Sequence, residues 1–293
     1  MSQEWLPRLL MCLAISLTIA GCRPPALIQD WQAGRDLKTT ARAGDADSQY
    51  RLGMRYTNGR GVSQNHIEAV SWFSQAAEQG HADAQFMLGA AFASGRGIAP
   101  DREQALRWFG KAADAGHMRA QYQLGDAYSN GQGVRKDLAW GARWYGMAAS
   151  QGHREAQFML AALYSAGLGL PKANNRAIFW LQLASRGGHP QAGKALIRMR
   201  QKVSTSQYRI ASTKAEQWQP AQRLRGLNNP PTIAYVQHVL NQLGYAVGAV
   251  DGIRGPETER AIVRFQTDQG LGPNLPHQRS VDLLRDRSPD LYP

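Results

Sequence analysis

Cysteine is nearly absent: Cys12 and Cys22 are the only two in 293 residues. Two cannot build a disulfide framework, and none follows Cys22 to complete a zinc tetrad. Long apolar runs are lacking as well. The stretch Leu9–Ala20 falls short of the roughly 20 residues that a bilayer-crossing helix needs. Acid is scarce relative to base, 22 side chains against 34, which leaves a net charge of +12. Residues 43–202 hold 19 basic and 11 acidic side chains, whereas residues 231–293 are nearly balanced. A basic middle suits anionic partners such as lipid head groups, wall polymers or acidic proteins. No Ser-His-Asp set, acid pair or metal-ligand cluster stands out, so neither catalysis nor a metal or cofactor is expected.

What the chain does have is period. Leu52, Leu88, Leu124 and Leu160 lie 36 residues apart, as do Trp72, Trp108, Trp144 and Trp180. Gly80, Gly116, Gly152 and Gly188 keep the step, each followed by a histidine: His81, His117, His153 and His189. A fixed period of this size marks an array in which each unit buries its apolar face against the next.

Each unit reads as two helices. Leu52 and Tyr56 share one face of the first helix. Gly53, Gly89 and Gly125 interrupt it, at about 1 kcal/mol each relative to alanine, which makes sense where another helix packs closely. Ala161 takes that place in the fourth unit. Paired glycines such as Gly59 and Gly61 end the helix and reverse the chain. Asn65, Asp101 and Asp137 then supply an N-cap oxygen, with Ala173 in that place in the fourth unit. Ala69, Trp72, Phe73, Ala76 and Ala77 fall at the spacing of a buried helical stripe, so the tryptophans are expected to anchor the core.

The histidines recur one unit apart, about 10 Å by helix-packing distance, too far to share a metal. Helix-end packing or dipole contacts are the expected role. Gly188–Lys194 fits GxxxxGK, but a helix precedes it and Ala195 follows, so a phosphate loop is rejected. Asp251-Gly252 lacks the other oxygens of a calcium loop.

The pattern LGxxYxxGxGV…AxxWxxxAAxxGxxxAQ resembles the Sel-one-like repeat, a relative of the tetratricopeptide repeat, in four copies over about residues 44–188. The resemblance implies an α/α solenoid with a concave protein-binding face. Some cysteine-rich members of that family are linked to β-lactam hydrolysis, and this chain lacks their cysteines. Asp36–Ala43 reads as an N-terminal capping helix and Gln191–Lys202 as a C-terminal one.

Residues 203–230 break the period and read as a linker with a helical piece near Ala215–Arg225. Beyond them, VQHVLNQLGYAVGAVDGIRGPETERAIVRFQTDQGL resembles the "type one" peptidoglycan-binding domain, a small three-helix module. Gly272–His277 departs from its usual ending. The resemblance points to a cleft between the first two helices, near Tyr245, Asp251, Arg254 and Thr258. In the same loop Gly255 is read as supplying a free backbone conformation and Pro256 as the first residue of a helix.

Arg8 followed by the short apolar run reads as an export signal, and Ile19-Ala20-Gly21-Cys22 resembles a bacterial lipobox. By that resemblance Cys22 carries lipid, and Arg23 after it points to the outer membrane. The expected division is therefore a signal peptide (1–21), a tether (22–35), the repeats with their caps (36–202), the linker (203–230) and the wall-binding domain (231–293). The fold class expected is all-α: an α/α solenoid of four 36-residue repeats, then a small three-helix domain. The expected protein is a non-enzymatic envelope lipoprotein on the periplasmic face of the outer membrane. Its partners would be peptidoglycan, envelope proteins and, through the lipid, a membrane, but not nucleic acid. A targeting or regulatory subunit of a wall hydrolase, or a part of a secretion or polysaccharide-export assembly, is the alternative.

Overall fold

The computed structural model describes residues 36–221, 230–250, 252, 254–271, 281, 283 and 284. Helices and turns make up the described residues, with no strand among them. Packing divides the chain into two units, residues 1–105 and 106–293.

In the first unit, α1 (36–42) leads into α2 (Ala46–Asn58), α3 (His66–Glu78) and α4 (Ala82–Ser94). Here α2 packs on α3 and α3 on α4. The helix α5 (Arg102–Asp114) spans the boundary. The second unit continues with α6 (Met118–Asn130), α7 (Leu138–Ser150), α8 (Arg154–Ala166) and α9 (Asn174–Arg186). After them come α10 (Ala192–Arg200), α11 (Thr205–Glu216), α12 (Pro230–Gln242) and α13 (Pro256–Asp268). Each of α6 to α9 packs on its successor, and α9 also holds α11.

Why the helices end where they do follows from the glycines. Gly59, Gly95, Gly131 and Gly167 adopt φ of 68, 72, 71 and 73°, the left-handed region that favours glycine. At the residue just before the second helix of each repeat, the chain is pinned back by one recurring bond: the amides of Asn65, Asp101, Asp137 and Ala173 donate to the carbonyls of Tyr56, Phe92, Tyr128 and Tyr164. Asn65, Asp101 and Asp137 accept helix amides as N-caps. Ala173 makes no such side-chain bond, yet α9 starts in register.

The interrupting glycines mark helix crossings. A Cβ on Gly53 would stand 2.6 Å from the Phe73 ring, and one on Gly125 only 2.5 Å from the Tyr145 ring. A buried glutamine ties each first helix to the helix before it. Gln49, Gln85, Gln121 and Gln157 donate through Nε2 to the carbonyls of Ala41, Ala77, Ala113 and Ala149, each at 3.1 Å. These carbonyls lie at helix C-termini, where each also accepts the amide of Gly44, Gly80, Gly116 or Gly152 three residues on, so the recurring glutamine supplies a second bond that ties the two helices together.

Two expectations need correction. The buried aromatic is not the recurring tryptophan: Trp72, Trp108 and Trp180 are half-buried, while Phe73, Phe109, Tyr145 and Leu181, one residue on, are buried. Successive residues point about 100° apart around a helix, which puts the tryptophan at the edge of the apolar stripe. Trp144 alone of the four is buried, for the reason given below. Near the helical piece expected at Ala215–Arg225, a helix covers Thr205–Glu216, opened by a capping box between Ser204 and Gln207; residues 217–221 are not helical, and 222–225 lie outside the described residues. The helix is packed rather than free: Gln182 donates to Tyr208 and Ser212, and Arg186 to the Ala215 carbonyl at 2.7 Å.

Candidate functional site

The four histidines recur because they cap helices. His81, His117 and His153 accept the amides of Ala84, Ala120 and Ala156 on Nδ1 at 3.1–3.2 Å. His189 accepts the Gln191 amide in the same way. Only the neutral ring with its proton on Nε2 can do this. His81 and His153 stack on Tyr50 and Tyr122, and His189 on Phe158 at 4.1 Å between ring centres. Burial pushes the His153 imidazole below its ordinary pKa, with Glu155 pulling up and Arg119 and Arg154 pulling down. Nearby, burial and then the Asp126 carboxylate push the Tyr145 hydroxyl well above the usual range. No group of three or more His, Cys, Asp or Glu among the described residues is placed to hold a metal.

In the C-terminal module Thr258 is buried in the first turn of α13. Gln237 of α12 donates to its Oγ1 at 3.0 Å and accepts the Gly252 amide at 2.9 Å. One glutamine thus bridges the two helices and the loop between them. Arg254 pairs with Glu259. Tyr245 lies against the far end of α13, donating to Asp268 at 2.9 Å with its ring edge-on to Phe265. Ten helical residues separate Thr258 from Asp268, about 15 Å at 1.5 Å per residue. Arg254 and Thr258 therefore share one end of α13, while Tyr245 sits at the other. Asp251, like the lipidation candidate Cys22, lies outside the described residues. Gly255 has φ −92° and ψ 173°, an extended backbone open to any residue, so the special conformation expected there is not needed. Pro256 does open the helix, where its missing N–H is no loss.

A further surface joins α12 to α7. Pro231 fits against Gly146, where a Cβ would stand 2.9 Å away. Arg143 is 4% exposed. Its Nε donates to the Thr232 hydroxyl at 2.9 Å, and its guanidinium lies 4.4 and 4.1 Å from the Trp140 and Trp144 ring centres. Trp140 also meets Tyr235 edge-on at 4.8 Å. The Ala221 amide donates to the Ser150 carbonyl at 2.7 Å. This clasp buries one face of α7 against a helix of the C-terminal module, and it is why Trp144 differs from its counterparts.

Apart from Trp144, which the period marks as a core tryptophan, the clasp residues are not singled out by the sequence. Their clearest signal is a departure from the repeat: Trp140 stands where the other copies have Glu68, Gln104 and Arg176.

The helix pairs and their glycine turns match the Sel1 repeat over residues 46–81, 82–117, 119–153 and 154–189. The chain carries four Sel1 repeats. Residues 229–274 match the putative peptidoglycan binding domain. Among solved structures, a Sel1 repeat protein from Oxalobacter formigenes is 35% identical with a TM-score of 0.56, covering 58% of this chain and 50% of that one. A protective antigen of uropathogenic Escherichia coli with an SLR fold is 30% identical with a TM-score of 0.55, covering 80% of this chain and 48% of that one. The chain thus spans about half the length of both relatives. No curated protein matches it.

Proposed function

We propose that this protein is a bacterial envelope lipoprotein that binds peptidoglycan through its C-terminal module and offers its Sel1 repeats as a scaffold for protein partners. The observation that carries the reading is the joining, in one chain, of four interaction repeats to a match with a peptidoglycan-binding domain. Both modules point to interaction rather than catalysis. The lipobox resemblance at Ile19–Cys22 supplies the second anchor, with Cys22 lipidated and the bulk of the chain on the periplasmic face of the outer membrane. Two anchors on one chain raise effective concentration, so weak wall binding suffices. Arg254, Thr258 and Tyr245 each have a partner within the module, which makes them builders of its loop and helix ends as much as ligand contacts.

Co-sedimentation of the purified chain with isolated sacculi tests the reading. Enrichment in the pellet that is lost on deleting residues 231–293 is expected. Equal pelleting with and without those residues would sink the wall-binding role. Labelled palmitate incorporated into the native chain and not into Cys22→Ser would support the anchor.

A further inference from the structure

We propose, on the reading of the repeats as a scaffold, that a groove in the first repeat docks an acidic helical segment of a partner protein. The groove encloses about 610 Å³ and is lined by Lys38 and Arg42 of α1, Tyr56 of α2, and Asn65, Glu68 and Trp72 at the start of α3. Lys38 and Arg42 are exposed and one helical turn apart. Neither makes an ion pair or side-chain hydrogen bond with a described residue. Two cations and two aromatic residues thus line one cavity, with Glu68 as the single acid beside them.

The third repeat indicates what such a face accepts. Two steps of the period carry Tyr56, Glu68 and Trp72 onto Tyr128, Trp140 and Trp144. Those are the residues at the clasp, where Trp140 touches Tyr128 on one side and Tyr235 of α12 on the other. The register-equivalent face of the third repeat therefore binds a helix, with Trp140 as the ring that meets it where the first repeat has Glu68. Charge separates the two sites. Where the first repeat has Lys38 and Arg42, the third has Gly110 and Asp114. The helix seated on the third repeat, PPTIAYVQHVLNQ, contains no carboxylate, as suits a site with an acid at that register. The first repeat keeps the tyrosine and tryptophan as Tyr56 and Trp72, has Glu68 in place of Trp140, and carries two cations where the third has a glycine and an acid, so the helix it fits carries carboxylates for Lys38 and Arg42.

The probe is a fluorescein-labelled peptide with the sequence of residues 230–242 in which Gln237, His238, Asn241 and Gln242 are glutamate. Anisotropy against the full-length chain in detergent is read beside the unmodified peptide and poly-glutamate. The acidic peptide should bind at least about ten-fold tighter than either, and Lys38→Glu/Arg42→Glu should remove that advantage while leaving the melting temperature unchanged. Hydrogen exchange should show protection in α1 and α3. Equal binding of poly-glutamate would make the groove an undirected anion surface and overturn the proposal. Protection confined to another repeat would overturn it too, while leaving the scaffold reading intact. No binding at all, with a partner still captured through the other repeats, would again defeat this groove alone.

Discussion

At the scale of single residues, the aromatic that recurs most visibly is not the one that carries the packing. Trp108 is half-buried with the Lys111 ammonium 4.0 Å over its ring, whereas Phe109 is 6% exposed. Phe109→Ala is expected to cost about 3–5 kcal/mol and Trp108→Ala about half that, because the tryptophan leaves part of its face in water. Thermal denaturation of the two variants decides it, and equal losses would restore the tryptophan as the core anchor. The capping residues were more legible. Asn65, Asp101 and Asp137 stand next to the helices they cap, and their oxygens bond amides two or three residues on. The histidines were legible as helix-end residues but not as caps, since imidazole does so only in one tautomer.

At the scale of the helix, that tautomer makes the array sensitive to acid. Burial lowers the folded pKa of His153 below the ordinary value. The ring is therefore neutral when folded and takes a proton more readily when unfolded. Its contribution is fully present above about pH 6.5 and is lost as pH falls from there through the lower folded value. The melting temperature should decline below about pH 6.5, and His153→Asn, which keeps a cap oxygen without a titrating ring, should flatten part of the decline. An unchanged pH profile in the variant would remove the cap from the account. The helix ends themselves could be read in advance because glycine turns, prolines and caps are local features. The position of α11 could not: Thr205–Glu216 is polar, and what orders it is α9, through Gln182 and Arg186.

At the scale of the molecule, the clasp changes what the linker means. A flexible 28-residue segment would give an r.m.s. span of roughly 30 Å. Instead α11 is docked, Ala221 is bonded to Ser150, and α12 is held against α7. Arg143→Ala removes the guanidinium from between two tryptophans and its bond to Thr232, so it should cost about 1–3 kcal/mol. Amides of α12 should then exchange faster by native-state hydrogen exchange while those of α9 do not, and uniform loss across both helices would argue against a local clasp. A partner for the repeats would find the α7 face already taken by the chain's own C-terminal module.

Sequence by itself determined the period, the helix pairs, the glycine turns and the two kinds of module, because each rests on residues within one 36-residue step or one short motif. It also brought Tyr245, Arg254 and Thr258 forward as a group. Tertiary structure alone decided that Thr258 is bound to Gln237 and that Tyr245 sits at the other end of α13. It alone joined Arg143 to Thr232 across 89 residues of sequence. The physical reason is the same in each case. Local periodicity says which side of a helix is apolar, but which neighbour covers that side depends on contacts between segments far apart in the chain, and no repeat spacing encodes those.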